Sequence, residues 1–478
     1  MEDDGVVSPV NADLDLSRSR AIHLIGVGGS GINPLASILA DMGHRVSGSD
    51  LKESAGLDRL RSQGVDVFVG HDGGHVGDVE LVGRSNAVPD HNVEVRTALA
   101  RGMPVVSGAD LLAAICRRKR TLAIGGSHGK TTTTAMTALA MVEAGLQPSY
   151  IVAGDVNEIG SGAVWDADGE WIVVEADQSD PAFLRLGAEA AVVTSIEADP
   201  LDGEGALDAS LAGFTELVHP ATTLRLCCLD DPGAARLASA VGAVTYGTEA
   251  GADWHITDVG PDGIGSRFVV LTPDGDRLDV RLHVPGVHNV ANATAALAAT
   301  VSLGGDAAAA VAALGRFAGV ARRFEFRGER AEVTIVDDSA HLPSEVRATV
   351  EAAAAGPWRR VVAVFQAHGY QRVEWLSEEF GRAFEAADVT VIVEPQPGFD
   401  ETPRPGVSGM TLVRGILEHR PRAAVAYVPD RDGLLAYLVG RLRPGDLCLV
   451  MQVGGALTDL PDELLDVLAE REDRRGVA

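Results

Sequence analysis

A lysine and a threonine placed directly after a glycine-rich turn are residue types that handle phosphate. Residues 121–136 read TLAIGGSHGKTTTTAM. The apolar residues up to Ile124 read as a strand, the stretch through Gly126, Ser127, His128 and Gly129 as a turn, and Lys130, Thr131 and Thr132 as the start of a helix. In that order, backbone N–H groups and the positive end of the helix dipole face an anion. Gly126 and Gly129 permit a close approach of the chain. Lys130 is placed to reach the outer phosphates of a nucleotide, and Thr131 to hold Mg2+ through its hydroxyl. The usual pattern requires glycine at 124, where Ile124 stands, so the lead into the loop is shortened. The motif specifies phosphate and leaves the reaction open.

A second glycine turn, GVGGSG at 26–31, follows another apolar strand and carries no lysine. Asp50 ends the next strand, about 24 residues on. This is the layout of a dinucleotide fingerprint, and it suits other phosphorylated ligands, nucleotide sugars included. A nicotinamide oxidoreductase is one reading of this turn, but it leaves Lys130 without a task. Two further strands end in acids: Glu175 and Asp177 in VVEADQSD, Glu197 and Asp199 in VVTSIEADP. Ligands bind at strand ends in open α/β sheets. A carboxylate there, beside a phosphate loop, is a candidate magnesium ligand.

Positioning these groups takes alternating strands and helices. RAIHLIGVGGSGINPLASILADMGHRVSGSDL reads as a βαβ unit, and the alternation continues through VDVFVG, ELVGRSNAV and PVVSGADLLAAI. The basic cluster CRRKR at 116–120 marks a boundary and reads as solvated surface. WIVVEAD, AAVVTSI, TTLRLCCLDD and AVTYG continue the pattern. Residues 254–284 then read as antiparallel strands with Pro-Asp-Gly hairpin signals, followed by a helix in HNVANATAALAATVSLGG. A third block runs through VTIVDD, RVVAVFQA, VTVIVE, AAVAYV and LCLVMQ. The expected fold is α/β with three domains in series: a Rossmann-like first domain over 19–118, a P-loop ATPase-like centre over 119–316 and a Rossmann-like third domain over 317–478. Residues 1–18 read as a loose acidic tail rather than a signal peptide.

Composition narrows the partners. The formal charge of −28 on 478 residues argues against a general nucleic-acid binder, because phosphate backbones repel it. The four cysteines form no C-x-x-C pair and read as buried small hydrophobes in a reducing cytoplasm. No apolar run approaches the roughly 20 residues of a membrane span.

Taken in order, the segments resemble the Mur ligase family from about residue 20 to 465. HLIGVGGSGI, VSGSD, SNAVPDHNVEV and PVVSGADLLA are similar to its first domain. GGSHGKTTTTAM is similar to its shortened phosphate loop, and VVEADQSD and TSIEADPLD to its two acidic strand ends. GVHNVANATAALA resembles its adenine-side segment; GVARRFEFRG, VDDSAHLPSE and FQAHGYQR resemble its third-domain motifs. The resemblance implies ATP-dependent joining of L-alanine to UDP-N-acetylmuramic acid through an acyl phosphate, with ADP and phosphate as products, in peptidoglycan precursor synthesis. It implies ATP and Mg2+ as cofactors, and a monomer or homodimer. By motif match, Gly28, Gly29, Ser30, Asp50 and Ser85 bind the UDP-sugar. Gly126 to Thr132, His288, Asn289, Asn292, Arg323 and Asp338 bind ATP. Thr131 and Glu175 hold the metal, and His341, His368 and Arg372 meet the amino acid. Lys130, Glu175, His341 and Arg323 carry the catalysis.

Departures from the family pattern cluster where metal and amino acid would sit. Pro200 replaces a metal-site histidine and Gln178 an acid. Ser339 and Leu342 replace a tyrosine and a histidine, and Gly369 an arginine. Met451-Gln452-Val453-Gly454-Gly455 stands for Met-Gly-Ala-Gly-Asp, and Asn33-Pro34 for Ser-Gly. Two alternatives follow from these changes: a ligase for another amino acid or UDP-sugar, and a non-catalytic member that binds nucleotide or UDP-sugar.

Overall fold

A computed structural model of the chain describes residues 14–152, 162–177, 181–198, 203, 205–398 and 401–476. Gln178, Asp199 and Pro200, and with them one proposed metal position, lie outside the described residues, as does most of the expected tail. What is described of that tail is not loose: Leu16 is buried and Arg18 pairs with Glu80 at 2.7 Å. The chain divides into two compact units. One comprises residues up to Ile196 with Ser210–Trp254 and Ala293–Ala313. The other comprises Glu197–Ala209, His255–Asn292 and Leu314 onward.

In the first unit the early βαβ pattern folds as a parallel sheet of β1 (Ala21–Ile25), β2 (Arg45–Asp50), β3 (Asp66–Val69), β4 (Leu81–Arg84) and β5 (Val105–Ser107), ordered β3-β2-β1-β4-β5. Helices α1 (Asn33–Asp41), α2 (Ala55–Ser62), α3 (Val93–Ala100) and α4 (Gly108–Cys116) connect the strands. The order reverses at β1, so the glycine turn after β1 and the Ser85 loop after β4 meet at the switch point, where open sheets bind ligands. The Asn33-Pro34 departure fits locally. Pro34 sits in the first turn of α1, where no N–H is needed, and the Asn33 amide donates to the Val27 carbonyl at 3.0 Å.

The same unit holds β6 (Arg120–Gly125), α5 (Lys130–Glu143), β7 (Ser149–Ile151), β8 (Ala163–Val164), β9 (Trp171–Ala176), β10 (Ala188–Val193), α6 (Ala206–Val218, its first turn assigned to the other unit), β11 (Leu224–Cys228), α7 (Pro232–Val241) and β12 (Val244–Gly247). Its strands run β12-β11-β10-β6-β9-β7-β8, all parallel except β8. The central β6, β9 and β10 are near-continuous apolar runs, as a sheet covered on both faces requires. The four threonines opening α5 are weak helix formers. Thr134 satisfies its hydroxyl on the Lys130 carbonyl at 2.9 Å, and Thr137 on Thr133 at 2.7 Å. The reading of CRRKR as plain solvated surface needs correcting: Lys119 lies over the Trp165 ring, and Arg120 lies over Trp171 and donates to Glu189 at 2.9 Å. Their apolar stems pack on the rings, while the Lys119 ammonium donates to the Gly169 carbonyl and the Arg120 guanidinium pairs with Glu189.

In the second unit β13 (Trp254–Asp262), β14 (Gly265–Leu271) and β15 (Arg277–Leu282) form the expected antiparallel hairpins. Helix α8 (Val287–Ser302) follows, its residues from Ala293 on assigned to the first unit, which also holds α9 (Ala307–Leu314) up to Ala313. A six-stranded sheet is built from β16 (Glu325–Arg330), β17 (Val333–Asp338), β18 (Arg360–Phe365), β19 (Val389–Ile392), β20 (Val425–Tyr427) and β21 (Asp446–Met451). Its order is β16-β17-β21-β18-β19-β20, with only β16 antiparallel. Around it pack α10 (Pro343–Ala354), α11 (Tyr370–Trp375), α12 (Ser377–Ala383), α13 (Gly409–His419), α14 (Arg431–Arg441) and α15 (Leu460–Gly476). Alternate residues feed two cores: Val336, Phe365 and Leu449 join Phe380 and Phe384, while Ile335, Val364 and Val450 join Leu438 and Leu464.

Candidate active site

The phosphate loop follows β6 and is held from the end of β10, the strand that pairs directly with β6 in the sheet. Thr194 and Ser195, just past β10, grip it from the side. Ser127 and His128 donate their N–H groups to the Ser195 carbonyl (2.9 Å) and hydroxyl (3.0 Å). The Thr194 hydroxyl donates to the carbonyls of His128 (2.5 Å) and Gly125 (3.2 Å). Gly126 has φ of 139°, and a Cβ there would lie 2.0 Å from Thr194 Oγ1, so only glycine lets the two segments close. Gly129, in the left-handed region at φ 76°, turns the chain into α5. The first-turn N–H groups of α5 have no intrahelical partner by helix geometry, which is the physical basis of anion binding. Lys130 arches over this loop, its ammonium donating to the Gly126 carbonyl at 2.8 Å.

Glu175, next to last in β9, accepts from the Thr131 hydroxyl at 3.1 Å. These two hard oxygens at the mouth of a phosphate loop fit Mg2+, which keeps waters and phosphate oxygens for its remaining positions. Among the described residues no group of three or more His, Cys, Asp or Glu is arranged to hold a metal on its own.

The glycine turn is braced from β2. Gly26 and Val27 donate to the Ser49 carbonyl at 2.8 and 3.0 Å, and Gly28 to the Asp50 carboxylate at 2.9 Å. Asp50 therefore already has a structural partner. Gly29 and Ser30 are exposed, and Ser85 stands beside Gly26. A cavity of about 320 Å3 lies between this turn and the phosphate-loop sheet. Ser30, Ser85 and Asn86 line one side, and Glu175, Asp177 and Phe183 the other. Arg185 ties the two sides together through an ion pair with Asp110 at 2.9 Å.

In the second unit, Asp338, Met451 and Phe365 are in register at the ends of β17, β21 and β18. His341, Gln452 and His368 follow at the carboxyl ends of these three strands, with Arg372 in α11. Burial lowers the pKa of His368, and His341 and Arg372 nearby push it the same way. His341 faces the Ser339 carbonyl at 3.1 Å and the Glu345 carboxylate at 3.2 Å. The two adjacent arginines differ: Arg323 is exposed, whereas Arg322 turns in, donating to the Gln452 carbonyl at 2.6 Å and lying 3.5 Å from Asp337. Burial pushes Asp337 up to about 6 against the pull of Arg322. Asp338 is raised by burial too, and its carboxylate accepts from the N–H groups of Phe324 and Ala340, both at 2.7 Å. At the start of α8, His288 is exposed, while Asn289 and Asn292 are buried. Asn289 donates to the Pro285 carbonyl at 2.7 Å and accepts from Asn292 at 3.1 Å.

Thr194 and Ser195 are not among the residues that the sequence motifs mark. They stand in the TSIEADP segment, which was read for its acids; two hydroxyl residues directly after an apolar strand were the available signal. All four cysteines are buried, and burial raises their thiols to about 11 for Cys228 and about 12 for the others.

Comparison with known proteins agrees with this layout. Residues 21–120 match the description "Mur ligase family, catalytic domain", 124–300 "Mur ligase middle domain" and 322–452 "Mur ligase, glutamate ligase domain". The UDP-N-acetylmuramate–L-alanine ligase of Solidesulfovibrio magneticus is 41% identical over 92% of this chain and 96% of its own length. That of Acidothermus cellulolyticus is 41% identical over 96% and 97%. The crystal structure of the UDP-N-acetylmuramate–alanine ligase from Thermotoga maritima superposes with a TM-score of 0.77 at 25% identity, covering 95% of this chain and 99% of that one. With a gripped phosphate loop, a braced glycine turn and three successive family segments spanning most of its length, the chain belongs to the Mur ligase family.

Proposed function

We propose that this chain is an ATP-dependent ligase that joins L-alanine to UDP-N-acetylmuramic acid in peptidoglycan precursor synthesis. The observation that carries the reading is the shared cavity. One space is lined by the glycine turn and Ser85 loop on one side and by Glu175, the partner of Thr131, on the other. A sugar held by its UDP on the first side presents its carboxylate toward the phosphate loop on the second.

In this reading Gly28, Gly29, Ser30, Asp50 and Ser85 take the UDP-sugar. The N–H groups at the start of α5 and the Lys130 ammonium take the ATP phosphates, with Arg323 on the phosphates and Asp338, His288, Asn289 and Asn292 toward ribose and adenine. Thr131 and Glu175 hold Mg2+, which screens the charge of the phosphates when bound. A carboxylate is a poor electrophile, and bringing it to a phosphate anion requires counter-charge. Lys130 supplies that charge from the protein. The carboxylate takes the terminal phosphoryl group, ADP leaves, the alanine amine attacks the acyl phosphate carbonyl, and phosphate departs. His341, His368 and Arg372 serve the amino acid. The domains fall at 19–118, 119–316 and 317–478, and the protein works in the cytoplasm on nucleotide-linked precursors. Among the described residues no helix is long and apolar enough to cross a membrane.

A second reading, a ligase for a different amino acid, draws on Gln452. This fully buried amide stands where the family pattern has glycine, at the carboxyl end of β21 between the strands that lead to His341 and His368. Phosphate release from ATP with UDP-N-acetylmuramic acid and a panel of amino acids tests both. Alanine-dependent release is expected. Release with another amino acid alone favours the second reading, and ATP binding without release refutes both.

A further inference from the structure

Glu94, in the first turn of α3, has no exposed surface. Its Oε2 accepts from the Ser49 hydroxyl at 2.5 Å and faces His71 Nδ1 at 3.2 Å and His23 Nε2 at 3.7 Å. Its Oε1 accepts from the Asp72 N–H at 3.1 Å and faces His75 Nδ1 at 2.9 Å. Burial would raise its pKa, but the hydrogen bonds from His23, Ser49, Asp72 and His75 outweigh it and hold the group at about 2. It is therefore a buried carboxylate enclosed by groups from β1, β2 and the loop after β3. A buried charge that lost its partners would be costly, so the surrounding elements are locked to one another through it.

The lock reaches the glycine turn through one residue. Ser49 gives its hydroxyl to Glu94, while its carbonyl takes the N–H groups of Gly26 and Val27, and its neighbour Asp50 takes that of Gly28. We propose that Glu94 is a positioning residue for UDP-sugar binding: through Ser49 it fixes the end of β2 that holds the glycine turn in its ligand-ready shape. This rests on the reading of the turn as the UDP-sugar site. Glu94 is fully buried, and its proposed hold on the turn passes through the Ser49 hydroxyl to the Ser49 carbonyl.

The test uses the full chain with Ser49→Ala, Glu94→Gln and Glu94→Asp. Calorimetric binding of UDP-N-acetylmuramic acid is measured alongside the KM for ATP in the phosphate-release assay. Ser49→Ala cuts the link, and with it the 3.2 Å contact of the Ser49 hydroxyl with His71, while keeping the Glu94 carboxylate and its own contacts with the histidines, so it tests the proposal even where Glu94→Gln fails to fold. Ser49→Ala and Glu94→Gln are expected to weaken UDP-sugar binding about tenfold, equivalent to about 1.4 kcal/mol. The KM for ATP should stay within twofold, and Glu94→Asp should recover part of the loss. Unchanged binding in folded Ser49→Ala overturns the proposal, as does a parallel rise in the KM for ATP, which would mark general loosening. Wild-type protein that does not bind the UDP-sugar overturns the functional reading and this proposal together; wild-type binding with unaltered variants overturns this proposal alone.

Discussion

Replacing Gly126 by alanine tests whether the grip of Thr194 and Ser195 on the phosphate loop matters for catalysis. The new Cβ would lie 2.0 Å from Thr194 Oγ1 and 3.0 Å from the Ser195 nitrogen. Ordinary contact begins near 3.4 Å, so the loop and strand end must part by roughly 1.4 Å along the tighter contact. The backbone at φ 139° adds strain of about 1–3 kcal/mol for a residue with a side chain. A displacement of about 1 Å at a reacting centre costs on the order of 100-fold in rate. Gly126→Ala should therefore lower kcat for ATP-dependent phosphate release about 100-fold, with the protein still folded by circular dichroism. Adding Thr194→Ala removes the 2.0 Å contact but leaves the Ser195 backbone and the strained φ, so the double variant should regain only part of the loss. A Gly126→Ala enzyme with kcat within twofold of wild type would refute the grip as a catalytic requirement.

Lys130→Ala removes the cation over the loop and should cut kcat by about 100- to 1,000-fold in the same assay; retained turnover would remove the phosphate-loop reading. Thr131→Ala and Glu175→Gln should each raise the Mg2+ concentration needed for half-maximal rate, measured by titrating the metal at saturating ATP. Glu94, held at about 2 against an ordinary 4.5, contributes stability that is present above pH 4.5 and lost as the pH falls toward 2. The difference between wild type and Glu94→Gln in denaturant unfolding should shrink by on the order of 3 kcal/mol over that window. Asp337 has the opposite sign, being raised from 3.8 to about 6. Its contribution is full below pH 3.8 and lost as the pH rises through 6, so wild type should lose on the order of 3 kcal/mol relative to Asp337→Asn across that range.

Much of the site lay in short segments. The strand–glycine–lysine–threonine order at 121–134 and the glycine turn at 26–31 were legible because an anion site at a helix start is a local device. The strands flanking them were legible from apolar runs, and the antiparallel hairpins from their Pro-Asp-Gly turns. Lys119 and Arg120 were misread because a basic run does not show which tryptophan it will meet. The motifs mark Asp50 and Asp338 as expected ligand contacts. Their carboxylates are engaged by Gly28 and by Phe324 and Ala340, partners that a motif match does not reveal.

The sequence by itself determined the α/β class, the strand–turn–helix order around Lys130 and Thr131, and the family, since each rests on residues adjacent along the chain or spaced by one secondary element. Only the tertiary structure decided what surrounds them. Ser195 meets His128 across 67 residues, Thr131 meets Glu175 across 44, and Ser49 meets Glu94 across 45. Strand order brought these pairs together. Local patterning sets which residues face inward, but parallel pairing between distant strands sets which inward faces meet.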